Sequence, residues 1–121
     1  MSELHLSIPR LTPSNNQLLR MHYMTRHNLN ITWRWAVVAA ILEEDLAPPP
    51  DAKKEERRVV IIISYRPRRL DPDNYTGGLK PLLDALKKRN LIYDDHEKYI
   101  DLRPFQRAER DRQRTEVIIS W

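Results

Sequence analysis

The residues best suited to chemistry form one acidic tetrapeptide, Asp71-Pro72-Asp73-Asn74. It follows the apolar β-branched run 59–63, which has the length and flanking charges of a buried central strand. Two aspartates spaced i, i+2 at the end of a strand project to one face, so their carboxylates can converge on one cation. Pro72 favours extended geometry at Asp71, which keeps both carboxylates on one side. The tetrapeptide is also good turn and helix-capping chemistry, so a structural turn is the competing interpretation.

Further charged residues downstream could complete such a site, namely Lys80 and the pair Asp94-Asp95. If folding returns that pair to Asp71 and Asp73, carboxylates about 4 Å apart repel by roughly 4 kcal/mol at an effective dielectric near 20. A divalent cation would remove this repulsion. Oxygen ligands, without cysteine or a histidine pair, indicate Mg²⁺ or Mn²⁺ rather than zinc. Asp84 lies four residues after Lys80 and is interpreted first as its ion-pair partner on a helix surface.

A hard cation with open coordination positions indicates phosphodiester chemistry. One or two such ions can generate a hydroxide and hold both oxygens of an in-line displacement at phosphorus. Lys80 would then stabilise the charge of the transition state. Arginines could hold the rest of a nucleic acid, although the run 66–69 could equally neutralise the carboxylates and the segment 107–114 could be a solvated loop. The candidates for DNA contact are Arg20, Arg26, Arg66, Arg68, Arg69, Arg110 and Arg112.

Size and composition restrict the function classes. A chain of 121 residues predicts a single domain over residues 1–121. The excess of 21 Lys and Arg over 17 Asp and Glu is modest, but the arginines cluster, which favours a polyanionic partner. The absence of cysteine excludes a disulfide scaffold and a thiolate metal site. With no signal-peptide pattern and no apolar run of membrane length, we expect a soluble, cytoplasmic protein without membrane contact.

The elements that must position these residues begin with a strand and a long apolar helix. Residues 4–8 alternate between apolar and polar, which predicts a first strand. Residues 32–45 predict a helix that is apolar nearly all round, so one side can lie on the sheet and another on a second subunit. Trp33 and Trp35 lie on different sides of this helix. One of them is a candidate interface anchor, unless the chain's own loops cover both.

The second half of the chain predicts another helix and two more strands. Leucines recur at i, i+3, i+4, i+7 in the segment 79–86, which indicates an amphipathic helix on the sheet. The connector 47–56, which comes before the central strand, is first proline-rich and then charged, and it should be exposed. Residues 98–106 and 115–121 predict strands that are joined by 107–114 in a long hairpin. The predicted fold is α/β (α+β), with a mixed sheet of about four strands packed against two main helices.

In their order along the chain, these residues resemble the RusA-type Holliday-junction resolvases, a family often encoded by prophages. Four pieces carry the resemblance, and it spans most of the chain, about residues 4 to 121. They are Pro13-Ser14-Asn15-Asn16, the arginine-rich run into Asp71-x-Asp73-Asn74, Leu79-Lys80-x-x-x-Asp84-Ala85-Leu86, and Leu91-Ile92-x-Asp94-Asp95. The stretch between Asp73 and Asp84, which contains Thr76-Gly77-Gly78, is longer than in the family's best-known member, and its glycines could let the backbone approach a phosphate.

The resemblance implies a small, homodimeric α/β domain with Mg²⁺-dependent endonuclease activity, for which Mn²⁺ is a possible substitute. Its implied substrate is the four-way DNA junction, which is resolved by paired symmetric cuts in recombination and repair. The implied roles are metal binding for Asp71, Asp73 and Asp95, catalysis for Lys80 and support of the site for Asn74. Asp94 is a plausible extra ligand or hydrogen-bond partner.

Two other functions stay open at this point. One is a Mg²⁺-dependent nuclease for other branched or single-stranded DNA. The other is a non-catalytic nucleic-acid-binding module that uses the basic segment 103–114. A homodimer suits the junction in particular, because a four-way junction has an approximate two-fold axis and an isologous dimer presents one site to each of two opposed strands.

Overall fold

The computed structural model describes residues 2–44 and 49–121 and shows a mixed α+β fold, as predicted. A four-stranded sheet has the order β1-β4-β2-β3. Its strands are β1 at Glu3–Ile8, β2 at Arg58–Arg66, β3 at Ile100–Ala108 and β4 at Arg114–Ser120. The helices in the described ranges are α1 at Asn15–Arg20, α2 at Tyr23–Glu43, α3 at Pro72–Gly77 and α4 at Lys80–Lys88.

The apolar run of β2 lies at the centre of the sheet, as predicted. β2 pairs in parallel with β3 and antiparallel with β4. Val60 and Ile62 are fully buried on the side that contributes to the hydrophobic core. Val59 and Ile61 point to the opposite face and are half-buried. The alternation shows that only one face of this strand is fully covered.

The predicted hairpin between the last two strands is wrong. β2 lies between β3 and β4, and the connection crosses the end of β2, where the Glu109 N–H donates to the Arg66 carbonyl at 2.9 Å. A charged connector looks the same in sequence whether or not the flanking strands pair. β2 is the most apolar strand and lies between two neighbours. β3 lies at an edge of the sheet, where Pro104 is tolerated because it has no N–H to donate.

The long helix α2 begins at Tyr23, earlier than the predicted start near Thr32. His22 caps it, with Nδ1 accepting a hydrogen bond from the backbone N–H two residues on. The prediction missed this start because no apolar repeat marks the first turns, and histidine is not among the favoured capping residues. Residues 45–48, which include the predicted end at Asp45 and the beginning of the connector 47–56, lie outside the described residues.

The two tryptophans of α2 have opposite environments. Trp33 is fully buried in the core, whereas Trp35 is 68% exposed, so the alternative that the chain covers both is wrong. The stripe of α4 is confirmed, since its three leucines and the N-cap residue Leu79 are buried and the helix packs against α2. In the described part of the chain, α2 included, no helix combines the length and apolar character needed to cross a bilayer.

Candidate functional site

Two short helices bring the segment 13–16 against the acidic tetrapeptide. Ser14 caps α1 through a capping box, in which its hydroxyl accepts from the Gln17 N–H and Gln17 Oε1 accepts from the Ser14 N–H. The same segment also contacts α3, because the Asn16 N–H donates to Asn74 Oδ1 at 2.9 Å. Residues 58 positions apart in the sequence therefore meet at the starts of α1 and α3.

The acidic tetrapeptide starts a helix rather than ending a strand. β2 ends at Arg66, and Asp71 caps α3 by accepting a hydrogen bond from the Asn74 N–H at 3.0 Å. Pro72 occupies the first helical turn and Asp73 follows it, exposed and favourably placed for the helix dipole. The capping interpretation is confirmed, and the predicted strand-end geometry is wrong because the loop 67–70 intervenes. The cap uses one oxygen of Asp71, so the other oxygen can take a ligand.

The glycines after this turn admit the chain's own backbone. A Cβ on Gly78 would lie 1.8 Å from the Pro13 carbonyl oxygen, and one on Gly77 would lie 2.6 Å from Asn15 Cγ. Neither glycine has a positive φ, so the requirement for glycine is steric. The close approach that the sequence suggested for a phosphate is made here by the segment that precedes and begins α1.

Lys80, the first residue of α4, lies between two carboxylates. Its Nζ is 2.5 Å from Asp95 Oδ2 and 3.2 Å from Asp84 Oδ1, which confirms the predicted ion pair with Asp84. The hydrogen bond to Asp95 is the main cause that raises the pKa of Lys80 above its ordinary value, so the amine stays protonated at neutral pH. The side chain is nevertheless 57% exposed and can meet a polyanion.

Asp94 positions its neighbour in the turn before β3. Its Oδ1 accepts from the Asp95 N–H at 2.8 Å and lies 3.3 Å from Lys87 Nζ. These contacts, the backbone hydrogen bond above all, lower the pKa of Asp94. The carboxylate of Asp94 thus holds the turn that presents Asp95 to Lys80.

The structure does not gather the predicted metal ligands into one cluster. Within residues 2–44 and 49–121, no three His, Asp or Glu side chains form a group that could hold a metal ion. Asp71 and Asp73 belong to the start of α3, whereas Asp95 is paired with Lys80. The chemistry of the donors still fits Mg²⁺ or Mn²⁺, because all are carboxylate oxygens. Joint binding of one ion would require Lys80 to release Asp95.

A cleft of about 270 Å³ opens beside Lys80. Arg26, one of the arginines predicted to contact DNA, lines this cleft and donates a hydrogen bond to the Leu18 carbonyl. Asn15 and Asn30 line it as well, and neither was predicted as a binding residue. Asn15 could have been found from its place in the family-like motif. The sequence offers Asn30 only as a possible cap of the long helix, whereas it lies inside α2.

The remaining arginines of the prediction fall into two groups. Most are exposed, in the loop before α3, at the end of α1 and in the connection between β3 and β4. These exposed residues are Arg68, Arg69, Arg20, Arg110 and Arg112. Arg66 differs from all of them, because only 6% of it is exposed. Its burial excludes a simple surface contact between Arg66 and DNA.

No protein-family model and no curated protein sequence matches the chain. A relation to the RusA-type resolvases therefore rests on the motif residues of this chain and on the contacts between them. Those contacts join the pieces of the motif in two pairs, the first with the second and the third with the fourth. Asn16 bonds Asn74, Gly78 packs on Pro13, and Lys80 pairs with Asp95.

Proposed function

We propose that the chain is a metal-dependent endodeoxyribonuclease that resolves four-way DNA junctions, as the RusA-type resolvases do. The observation that carries the proposal is that direct contacts join the motif pieces in two pairs, one at the start of α3 and one at the start of α4. Segment 13–16 bonds to Asn74 and packs on Gly78, while Lys80 at the next helix start pairs with Asp95. These contacts place Asp71 and Asp73 at the start of α3, and Lys80, paired with Asp95, at the start of the next helix.

The aspartates of this region are proposed to hold Mg²⁺, or Mn²⁺ in its place. The ligands would be Asp71, Asp73 and Asp95, and the bound ion would supply an activated water and neutralise charge at the phosphate. Asn74 supports the site by fixing Asp71 through its backbone N–H and α1 through its side chain. Asp94 orients Asp95, because its carboxylate accepts a hydrogen bond from the Asp95 backbone N–H.

Lys80 is proposed to stabilise the negative charge that develops on the phosphate in the transition state. The hydrogen bond to Asp95 raises the pKa of Lys80, so the amine carries the positive charge at neutral pH that this role requires. Asp84 holds the amine at the edge of the cleft that Arg26 also lines, and this ion pair can remain when Asp95 binds the metal. A phosphate that enters this cleft would meet Lys80 and Arg26 beside the carboxylate of Asp84.

Exposed arginines around the acidic region are proposed to hold the DNA backbone. Arg68 and Arg69 lie three and two residues before Asp71, and Arg20 ends the helix whose start contacts Asn74. The net charge of +4 supports attraction of a polyanion, which salt would weaken. These arginines would draw the DNA toward the acidic helix start despite its negative charge.

A second copy of the chain is the proposed partner of α2. Ile31, Trp35, Val38 and Leu42 recur at i, i+4, i+7, i+11 and so form one stripe along this helix. Trp35 is 68% and Leu42 73% exposed, which is much apolar area for a single chain to leave in water. An isologous pairing of this stripe would give a dimer with one site per subunit, which matches the two-fold axis of a junction.

Replacing Trp35 by serine should convert the dimer into a monomer. The side chain is exposed in the single chain, so its loss removes interface area while the free energy of unfolding of the subunit changes little. Sedimentation at micromolar concentration would show a dimer for the wild type and a monomer for the variant. Tyr23→Ser, an equally exposed aromatic of α2 outside the stripe, should stay dimeric. A monomeric wild type would refute the dimer.

The proposed activity predicts that the chain cuts a labelled four-way junction only when Mg²⁺ is present. A linear duplex of equal length in the same reaction should be cut far less, because paired cuts require the branch point. Preferred cleavage of flaps or single strands would instead indicate a nuclease of other specificity. Salt-sensitive binding without any cleavage would favour the non-catalytic module, for which segment 103–114 is the candidate surface.

A further inference from the structure

β2 carries a buried arginine near each end, and both lie on its core-facing side. Arg58 is 1% exposed and Arg66 is 6% exposed. The charge of Arg58 is well compensated, because Glu56 lies 2.8 Å away and two backbone carbonyls accept from its terminal nitrogens at 3.0 and 2.7 Å. The ring of Trp121 covers its guanidinium at 4.8 Å. Groups of the protein itself therefore compensate the buried charge of Arg58.

Arg66 lacks this compensation. Its Nη2 donates to the Thr12 carbonyl at 2.7 Å and to the Thr12 hydroxyl at 3.2 Å, whereas its buried Nε has no hydrogen-bond partner in the part of the chain that the structure describes. The ring of Tyr75 lies 5.6 Å from the guanidinium. Among residues 2–44 and 49–121, no carboxylate lies within 4.0 Å of any Arg66 nitrogen. One buried cation of this strand is therefore without an anion.

An uncompensated buried charge costs free energy, and the protein shows the expected effect. Burial lowers the pKa of Arg66 below its ordinary value, because it destabilises the charged form of the guanidinium. A negatively charged ligand would relieve this cost, because it would replace the lost hydration of the guanidinium.

A cleft of about 380 Å³ gives such a ligand access to Arg66. Gln17 lines the cleft, and its capping box uses only the Oε1 atom, so the amide nitrogen can donate to a ligand. The other walls are Leu11, Thr12, Pro13 and Leu29, none of which carries a negative charge. The cleft therefore presents one cation and one amide donor between largely apolar walls.

We propose that this cleft is a phosphate-binding site in which Arg66 and Gln17 hold one phosphate group. The phosphate of a nucleic-acid backbone and free inorganic phosphate share the required chemistry. If the proposed nuclease function holds, a backbone phosphate here would anchor the DNA strand beside α3, because the segment that forms the cleft also bonds Asn74. The anion site itself does not depend on that function.

Thermal unfolding of the metal-free protein tests the site with inorganic phosphate. At a phosphate concentration ten times Kd, the Tm of the wild type should exceed its value in chloride of equal ionic strength by roughly 4–8 °C. Arg66→Met should lose this difference. Arg58→Met is the matched control, a buried arginine of the same strand. It should have a lower Tm in both salts, because two carbonyls lose their donor, yet keep the phosphate effect.

A second variant keeps the test decisive if Arg66→Met does not fold. Gln17→Glu retains the capping box, since glutamate also accepts at that position, and places a carboxylate in the cleft beside Arg66. It should raise the Tm in chloride and lose the response to phosphate. A phosphate effect that persists in this variant, or a wild type that shows none, would overturn the proposal.

Two further arms separate the source of the phosphate and the dependence on nuclease function. A short single-stranded oligonucleotide that raises the Tm of the wild type but not of Gln17→Glu would assign the site to a nucleic-acid backbone. A response to inorganic phosphate alone would assign it to the free anion. Asp73→Asn should keep the phosphate effect, so failure of the cleavage reaction would leave this site standing.

Discussion

Asp73→Asn is expected to reduce cleavage of a four-way junction by at least about 10³-fold. Loss of an outer-shell partner of a metal ligand already costs about 10–100-fold, and Asp73 is proposed as a direct ligand. The substitution removes a charge while it preserves size. Asp73 is exposed in the first turn of α3, so the free energy of unfolding should change little. A loss of activity would therefore report on the site rather than on the fold.

Single-turnover cleavage of a labelled junction with Mg²⁺ in excess measures this effect. Junction binding without metal should survive or tighten in Asp73→Asn, because a negative charge near the phosphate is gone. Asp51→Asn is the control, since Asp51 is an exposed aspartate of the connector away from the acidic helix. Cleavage by Asp73→Asn within tenfold of the wild-type rate would remove Asp73 from the site and with it the metal-ligand assignment.

Lys80→Met is expected to reduce the cleavage rate by about 10²–10³-fold, the usual effect of losing one group that stabilises transition-state charge. Junction binding should weaken much less, because the arginines supply most of the attraction. The Lys80 ion pairs are largely exposed, so their loss should cost no more than about 1 kcal/mol of stability. Lys88→Met, at the exposed C-terminal end of the same helix, should keep the wild-type rate.

The pH dependence gives Lys80 a second signature. Its pKa is raised in the folded chain, so the stabilisation from its ion pairs is fully present below the ordinary lysine pKa of about 10.4. That stabilisation is lost only as the pH rises through the raised folded value. The Lys80-dependent part of the rate should therefore show no titration between neutral pH and about pH 10. An unchanged rate in Lys80→Met would leave this residue as an ion-pair partner only.

Local patterns predicted much of the fold. Three confirmed features each depend on residues within a single helix or strand. They are the leucine stripe of α4, the alternation of β1 and the Lys80–Asp84 ion pair. Asn90, just after α4, adopts the left-handed conformation with φ 59°, which is common for asparagine at the end of a helix. The start of α2 escaped prediction because its cap is a histidine and its first turns lack an apolar repeat.

The candidate site was predictable in its residues but not in its arrangement. The chain order of Asp71, Asp73, Lys80 and Asp95 is visible in the sequence, as is their chemistry. The pairing of Lys80 with Asp95, and the capping role that directs Asp71 into α3, depend on how two helices and a turn pack. No spacing rule says whether Asp95 will meet a lysine or another aspartate.

By itself, the sequence determined the four strands, the helix α4, the second half of α2 and which residues are able to do chemistry. Only the tertiary structure decided that β2 separates β3 from β4, that Gly78 must admit Pro13, and that Arg66 is buried with no anion beside it among the described residues. The physical reason is that periodicity and capping act over a few residues, whereas burial and charge compensation depend on which distant segments share the same space.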